Sequence, residues 1–498
     1  MIRWLCSPGL LGRFAVVFLV IAPPLVAQVA SESYRVESID TPPGRAPEVS
    51  ALTFDADGRL FIGLRLGTLW SLDPKTRAWS QFASGLHWPL GMIPGRKGEI
   101  IVAQVPELTR IADTDGDGKA DVYETICDRW GLGGNYHEFV SGPVRDDAGN
   151  YYVGLGCSSS GGPVRPPLRG APTQKTREDN AKGHHSPVPW RGWVVKISAS
   201  GEFEPFASGF RQPNGLTRNL EGELFAVDNQ GDWVGTSPLH HVTKGAFHGH
   251  PASLVWDDKV EKGPWKMSVK ELDAMRKPPA VLFPQNDLAG STAQPLCDTT
   301  RGKFGPYAGQ LFVADWAHAR MHRVALEKVD GVWQGACFPF LDGGGLRRGG
   351  NRLAWAPDGS LWIAQVSRLW GGTGEGLQRV SFTGKTPFDI LAMRLRPDGF
   401  EIELTRPVDA ETAGRVDAYS LQRYRYRYHS KYGSPKIDVA PVPVRSVDVA
   451  ADGKTVTLRV DAIEIGFVYD LRPRGIRARN GDALAARLAA YTVNRLPR

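Results

Sequence analysis

The chain has 498 residues, a formal net charge of +7, 42% hydrophobic residues and 23% charged residues. This composition excludes a disordered chain, and the length implies two or more domains. The 57 glycines and 37 prolines exclude a mainly helical architecture, and the scattered Lys and Arg residues form no block or motif of a nucleic-acid binder.

Residues 1–27 read as a secretory signal. Arg3 and Arg13 supply positive charge, Phe14 to Ala22 is apolar, and Leu25-Val26-Ala27 offers small residues for cleavage near Ala27. The apolar run is short for a membrane span, and Pro23-Pro24 would break a helix there. The mature chain is expected to be secreted or periplasmic, with no stable membrane insertion. Cys6 leaves with the signal. Cys127, Cys157, Cys297 and Cys337 remain, an even number that permits two disulfides in any of three connectivities. There is no Cys-x-x-Cys-His for a c-type haem, and no zinc-type Cys/His spacing.

From residue 50 to 365 one pattern recurs: an apolar alternating run, a glycine turn, then a run of β-branched and aromatic residues. The copies are ALTFDADGRLFIG from Ala51, MIPGRKGEIIVAQ from Met92, PVRDDAGNYYVGL from Pro143, LTRNLEGELFAVD from Leu216, KFGPYAGQLFVAD from Lys303 and LAWAPDGSLWIAQ from Leu353. A glycine turn between alternating runs is a hairpin signal. Six hairpins at long, near-regular spacing predict an all-β fold, a six-bladed β-propeller over residues 28–384. Two enlarged intervals predict insertions at 158–192, a long surface loop with His184 and His185, and at 250–302, with a short helix near Val269 to Arg276. After Gly384 the repeat stops. Hairpins turning at Asp398-Gly399 and Asp452-Gly453 predict a small Ig-like β-sandwich over 385–498. Between them, Arg423, Arg425 and Arg427 alternate with Tyr424, Tyr426 and Tyr428, which reads as a solvated strand face.

Asp113 to Glu124 reads DTDGDGKADVYE. Asp113, Asp115, Asp117, the carbonyl of Lys119, Asp121 and Glu124 have the spacing of a twelve-residue EF-hand-type loop, so calcium is expected there in a structural role.

A hairpin returns the chain to the end it left, so residues before a first strand and after a second strand share one face of a propeller. This rule collects His87, Trp88 and Gln104; His137, Glu138 and Cys157; Arg211, Gln212 and Asn214; and Asp228, Asn229, Gln230 and Asp232. It adds Lys303, Asp315, Trp316 and His318, and then Arg347, Arg348, Asn351, Arg352 and Gln365. Arg, His and Trp converging on one cavity suit an anionic or polyhydroxy ligand. His248-Gly249-His250 reads as a loop before Pro251 rather than as a metal pair. No Gly-x-Ser-x-Gly elbow, Walker loop or dinucleotide fingerprint is present.

GLHWPLGM from Gly85, GFRQPNGL from Gly209, VDNQGDW from Val227, AFHGHPA from Ala246 and PYAGQLFVADWAHARMHRV from Pro306 resemble the soluble quinoprotein glucose/sorbosone dehydrogenase superfamily. With LQRVSFTGKTPFDI from Leu377, they resemble its secreted bacterial "membrane-bound dehydrogenase"-like branch. The resemblance implies pyrroloquinoline quinone on the propeller axis, a calcium ion polarising it, and oxidation of sugar or polyol hydroxyls with a separate electron acceptor such as a cytochrome. It implies His137 as general base. It places Arg211, Gln212, Asp232 and Arg352 at the quinone, and Gln230 and Gly231 at oxygens facing the cofactor calcium. The chain departs from the family at Ala317, where a quinone-binding Lys is expected, and at Asn351 and Arg352, near an arginine pair that is out of register. Two other readings stay open. One is a non-catalytic propeller binding a glycan or a protein. The other is a metal-dependent lactonase-like hydrolase using Asn214 and Asp228.

Overall fold

Each of the six predicted turn glycines, Gly58, Gly98, Gly149, Gly222, Gly309 and Gly359, has φ between 78° and 87°. Side chains avoid this left-handed region, so glycine lets the chain reverse there without strain. Six antiparallel sheets grow from these turns. Their first strands are Val49–Phe54, Gly91–Pro94, Val140–Arg145, Gly215–Arg218, Thr292–Cys297 and Gly350–Trp355. The computed structural model describes residues 32–158, 167–176, 186–366 and 374–498. The predicted export segment 1–27 and the pair His184-His185 lie outside the described residues.

Five of the sheets are consecutive meanders of four strands. In the sixth the outer strand is Tyr34–Ile39, from the start of the described chain, paired antiparallel with Gly376–Phe382. The first strands neighbour one another in cyclic order, and the sixth touches the first. A cavity of about 210 Å³ is lined by residues of all six first strands. The chain is mostly β and this arrangement is consistent with a β-propeller. Apolar side chains on both faces of the sheets fill the seams. Phe61 and Phe82 pack against Met92, Ile100 and Val102 between the first and second sheets. In the insertion of the fourth sheet a short helix, Val269–Met275, starts with a capping box in which Ser268 and Glu271 satisfy each other's backbone N–H groups.

The fifth sheet differs from expectation. Its first strand is Thr292–Cys297, and its second, Leu311–Asp315, follows only after a long turn segment. Lys303 therefore lies in that turn, at the opposite end of the ring from the predicted face, where its Nζ donates to Pro357 O at 3.2 Å. Pro295 interrupts the alternation of the true first strand, which is why the repeat appeared to begin at Lys303.

After residue 385 a second core forms between two sheets. One has the order Ile390–Arg396, Gly399–Leu404, Thr455–Val460, Val444–Val449. The other is continuous with the fifth sheet of the ring. The long strand Val332–Asp342 pairs with Ala489–Thr492, giving eight strands in all. Ala336 and Phe338 accordingly share a core with Phe400, Ile402, Leu458 and Tyr491. The junction is clamped by Arg323, fully buried, whose Nη2 donates to Asp389 at 2.9 Å. Its guanidinium lies 4.1 Å from the Tyr307 ring centroid and 4.4 Å from that of Phe338.

Cys127, Cys157, Cys297 and Cys337 are buried, and no disulfide joins any two of them. They serve as small apolar side chains in the cores, and the two disulfides that their even number permitted are not formed. Among the described residues no helix is long and apolar enough to cross a membrane.

Candidate functional site

The predicted face is held together by a recurring device. The polar residue that ends a second strand reaches back to the backbone entering the same sheet. Asp228 accepts from Arg211 N and Gln212 N, both at 2.6 Å, and from Asn229 N at 2.7 Å. Asp315 accepts from Gly290 N at 2.6 Å, Ala317 N at 2.9 Å and His318 N at 3.1 Å. Gln104 accepts from His87 N at 2.7 Å, and Gln365 donates to Arg347 O at 3.1 Å. Burial raises the pKa of Asp228 despite its three backbone donors. For Asp315 burial is outweighed by hydrogen bonds from His318 and His322, and its pKa falls below the usual carboxylate range.

These carboxylates are structural staples. Both oxygens of Asp228 are taken by backbone N–H groups, and Asn214 donates to Thr292 O and accepts from Arg352. Asn214 and Asp228, the pair of the lactonase-like reading, are thus both engaged within the fold. His248 and His250 also diverge. The His248 ring packs against Phe210 and His240, with centroids 4.8 and 4.6 Å away, whereas His250 Nε2 meets Asp232 Oδ2 at 3.1 Å.

His137, Arg211, Gln212, Gln230, Gly231 and Asp232 do come together. Gln212 Nε2 bridges the carbonyls of His137 and Cys157, at 2.8 and 2.5 Å. Burial, with the nearby Arg211 charge, lowers the His137 pKa to about 4, so the ring is neutral at neutral pH. Arg211 Nε pairs with Asp232 Oδ1 at 2.8 Å. Burial of Asp232 is overcome by His250 and Arg211, which hold its pKa far below the usual range. Gln230 donates to Gly235 O at 3.1 Å, and its own carbonyl accepts from Arg211 Nη1 at 3.4 Å. A Cβ on Gly231 would lie 2.0 Å from Arg211 Nε, so only glycine lets the two segments approach this closely.

Sequence reasoning missed Tyr432. The loop after Tyr419–Tyr426 of the second core folds over the fourth sheet's connection. Gly433 N donates to Gly231 O at 2.8 Å, and the Tyr432 ring lies 5.4 Å from the Arg211 guanidinium. Tyr432 is 68% exposed, a large aromatic left open beside the clustered polar groups. Only the fold delivers it, and nothing in its local sequence marks it. On another sector of the ring Trp88, at φ 49°, is held between the Arg65 guanidinium at 5.2 Å and the Phe139 ring at 6.0 Å.

Arg352, expected at a cofactor, is engaged with backbone and amide oxygens beside the central cavity. It is buried across the top of the central cavity, donating through Nε to Leu90 O and through Nη1 to Asn214 O and Asn351 Oδ1, at 2.9 and 3.0 Å.

The acidic loop lies at the opposite end of the ring, between Leu108–Ala112 and Val122–Cys127. Ligand oxygens of Asp113, Asp115 and Asp117 lie within 4.8 Å of one another. Asp113 accepts from Gly116 N and Gly118 N, at 2.7 and 2.9 Å, and this shapes the turn. Two predicted ligands are elsewhere. Asp121 accepts from Thr114 Oγ1 at 2.6 Å, and Glu124 pairs with Arg110 at 2.6 Å. An EF-hand brings its twelfth residue back on a helix. Here a strand begins at Val122, and its register sets Glu124 opposite Arg110.

No curated protein matches the chain. Among solved structures it is similar to a Thermus thermophilus protein assigned as an oxidoreductase (glucose dehydrogenase), at 18% identity and TM-score 0.49, covering 70% of this chain and 99% of that one. It is similar to the aldose sugar dehydrogenase of Streptomyces coelicolor, solved with pyrroloquinoline quinone bound, at 17% identity and TM-score 0.44, covering 72% and 99%. It is also similar to the soluble aldose sugar dehydrogenase of Escherichia coli, at 16% identity and TM-score 0.45, covering 70% and 99%. Residues 73–369, the greater part of the ring with its face and its acidic loop, match one family profile, and the chain belongs to that family, described as a domain of unknown function (DUF7133).

Proposed function

We propose that this chain is an exported oxidoreductase of the sugar class, acting on a polyhydroxy ligand at the ring face. The observation that carries this reading is the meeting there of a neutral, largely buried imidazole, His137, with Arg211, Gln212 and the open ring of Tyr432. Aromatic faces stack on sugar rings, amide and guanidinium groups bind hydroxyls, and a neutral imidazole can accept a hydroxyl proton. Six inner strands adjacent in cyclic order around one cavity support a closed six-bladed propeller, with residues 385–498 as an appended sandwich.

A quinone on the axis, implied by the motif resemblance, would meet donors that are already engaged within the fold. Arg211 is held by Asp232, the carbonyls of Gln230 and Gly231 are taken by Arg211 and Gly433, Arg352 gives its Nε and Nη1 to carbonyl and amide oxygens, and Ala317 offers no cation. A tricarboxylate would have to break these pairs. The same engagement favours a second reading, a glycan-binding propeller without turnover.

One assay separates the two. Purified protein is given calcium, pyrroloquinoline quinone, a dye acceptor and a panel of aldoses and polyols. Dye reduction is expected with at least one sugar, falling by about 100-fold or more in His137→Gln. Saturable sugar binding with no reduction would replace the enzyme by the binding module, and neither response would end both readings. Tyr432→Ala is expected to weaken KM, or Kd in the binding case, about three- to tenfold with an unchanged melting temperature. An unchanged KM or Kd would remove Tyr432 from the site.

For the acidic loop we propose calcium held by Asp113, Asp115 and Asp117, with the Lys119 carbonyl, in a structural role. Calorimetric titration is expected to show one site that Asp115→Asn weakens at least tenfold. Absence of binding heat would dismiss it.

A further inference from the structure

A guanidinium keeps its charge in proteins, and a buried one is costly unless an anion or a full set of acceptors meets it. Arg352 is 4% exposed and makes no ion pair with any described residue. Its Nε and Nη1 donate to carbonyl and amide oxygens, while its Nη2 donates to none of the described residues. Arg352 lines the central cavity, and no other residue of that lining is ionisable. Thr53 adds a hydroxyl with no described hydrogen-bond partner, and Gln294 an amide. Leu52, Met92 and Leu216 make up apolar wall.

The geometry points to a small-anion site in this channel: a monovalent inorganic anion of the chloride class, held by Arg352 Nη2. Size decides the class. At about 210 Å³ the cavity is smaller than the roughly 300 Å³ at which organic-ligand pockets begin, yet it has room for a halide with several waters. Charge decides the sign, because nothing in the lining neutralises the guanidinium. Water alone would solvate Nη2 but leave the net charge in a low-dielectric enclosure. The site does not depend on the sugar reading, since it lies in the channel beneath the face. A bound anion would tie the second, fourth and sixth sheets, which already share Arg352 through Leu90, Asn214 and Asn351, into one hub.

Two measurements test this. Crystals of the full mature chain soaked in sodium bromide are expected to show an anomalous bromine peak beside Arg352 Nη2. In solution, sodium chloride is expected to raise the melting temperature saturably, by about 1–3 °C at ten times Kd, relative to sodium morpholinopropanesulfonate at equal ionic strength, a non-sugar anion several times bulkier than a halide. Arg352→Met, which keeps the stem and removes the charge, is expected to abolish the chloride-specific rise. Should that variant not fold, the bromide map of the wild-type protein decides alone. A cavity holding only water in that map overturns the proposal, as does a chloride response equal in the bulky sulfonate or unchanged in Arg352→Met.

Discussion

Arg323→Met is expected to lower the unfolding free energy by about 3–5 kcal/mol, the usual cost of removing one partner from a buried ion pair. Arg323 is the pivot between the ring and the second core. It comes from the fifth sheet, is fully buried, and donates to Asp389, Gln310 Oε1, Ile390 O and Leu391 O. Its loss leaves the Asp389 carboxylate with the Tyr307 hydroxyl, at 2.5 Å, and the Ile390 N–H, at 2.9 Å, but without a cation. It also empties the space between the Tyr307 and Phe338 rings. Adding Asp389→Asn to the variant is expected to recover part of the loss, because no uncompensated charge then remains. Urea unfolding of the three proteins measures this. A midpoint for Arg323→Met within about 1 kcal/mol of wild type would show that the clamp contributes little. Splitting into two transitions would show that the ring and the second core unfold separately once it is gone.

Stability is expected to fall steeply below about pH 6.5, the ordinary histidine value. His240 and His248 are both buried and neutral. Burial, with Arg276 and Lys277 nearby, lowers the His240 pKa to about 3. Burial, with His240, Lys277 and His241, pushes that of His248 well below the ordinary value. His241 itself meets Glu223 at 3.0 Å and Lys277 Nζ at 3.3 Å, so no carboxylate is left to welcome a proton on the inner pair. In the unfolded chain both rings titrate near about 6.5. Between that value and about 3 the unfolded state binds a proton that folded His240 does not, so His240 removes about 1.4 kcal/mol of stability per pH unit as pH falls, and His248 adds to the slope in the same direction. By about pH 4.5 His240 alone costs about 2.7 kcal/mol, a large share of the stability of many domains, and His248 adds to that loss. Melting temperatures from about pH 7.5 to about pH 4.5 follow this slope, and His248→Phe is expected to make it shallower by about one proton. A slope identical in the variant would assign the acid sensitivity to other groups.

The hairpins were legible because their signal is local. Asp57-Gly58, Asp358-Gly359 and their four counterparts require a tight reversal, and the alternating runs beside them need two covered faces. Where local signal fades, the reading slipped. Pro295 obscured a first strand and moved Lys303 to the wrong end of the ring. The spacing from Asp113 to Glu124 has the ligand pattern of a helix-flanked loop, but spacing cannot tell whether position twelve returns on a helix or continues as a strand. Asp228 and Asp315 stood out as polar residues on a face. Whether a carboxylate there is free or engaged depends on backbone N–H groups of a neighbouring connection, and these carry no side-chain signature.

The amino-acid order alone determined which segments become paired strands, where they reverse, and which polar residues leave the strand ends toward a common face, because these depend on φ preference and two-residue periodicity. The tertiary structure alone decided that Tyr34–Ile39 completes the sixth sheet, that Tyr432 arrives beside Arg211, and that Arg352 stands without a counter-charge among the described residues. Each of these depends on contacts between segments far apart in the chain, and the energy of such a contact is written in neither segment by itself.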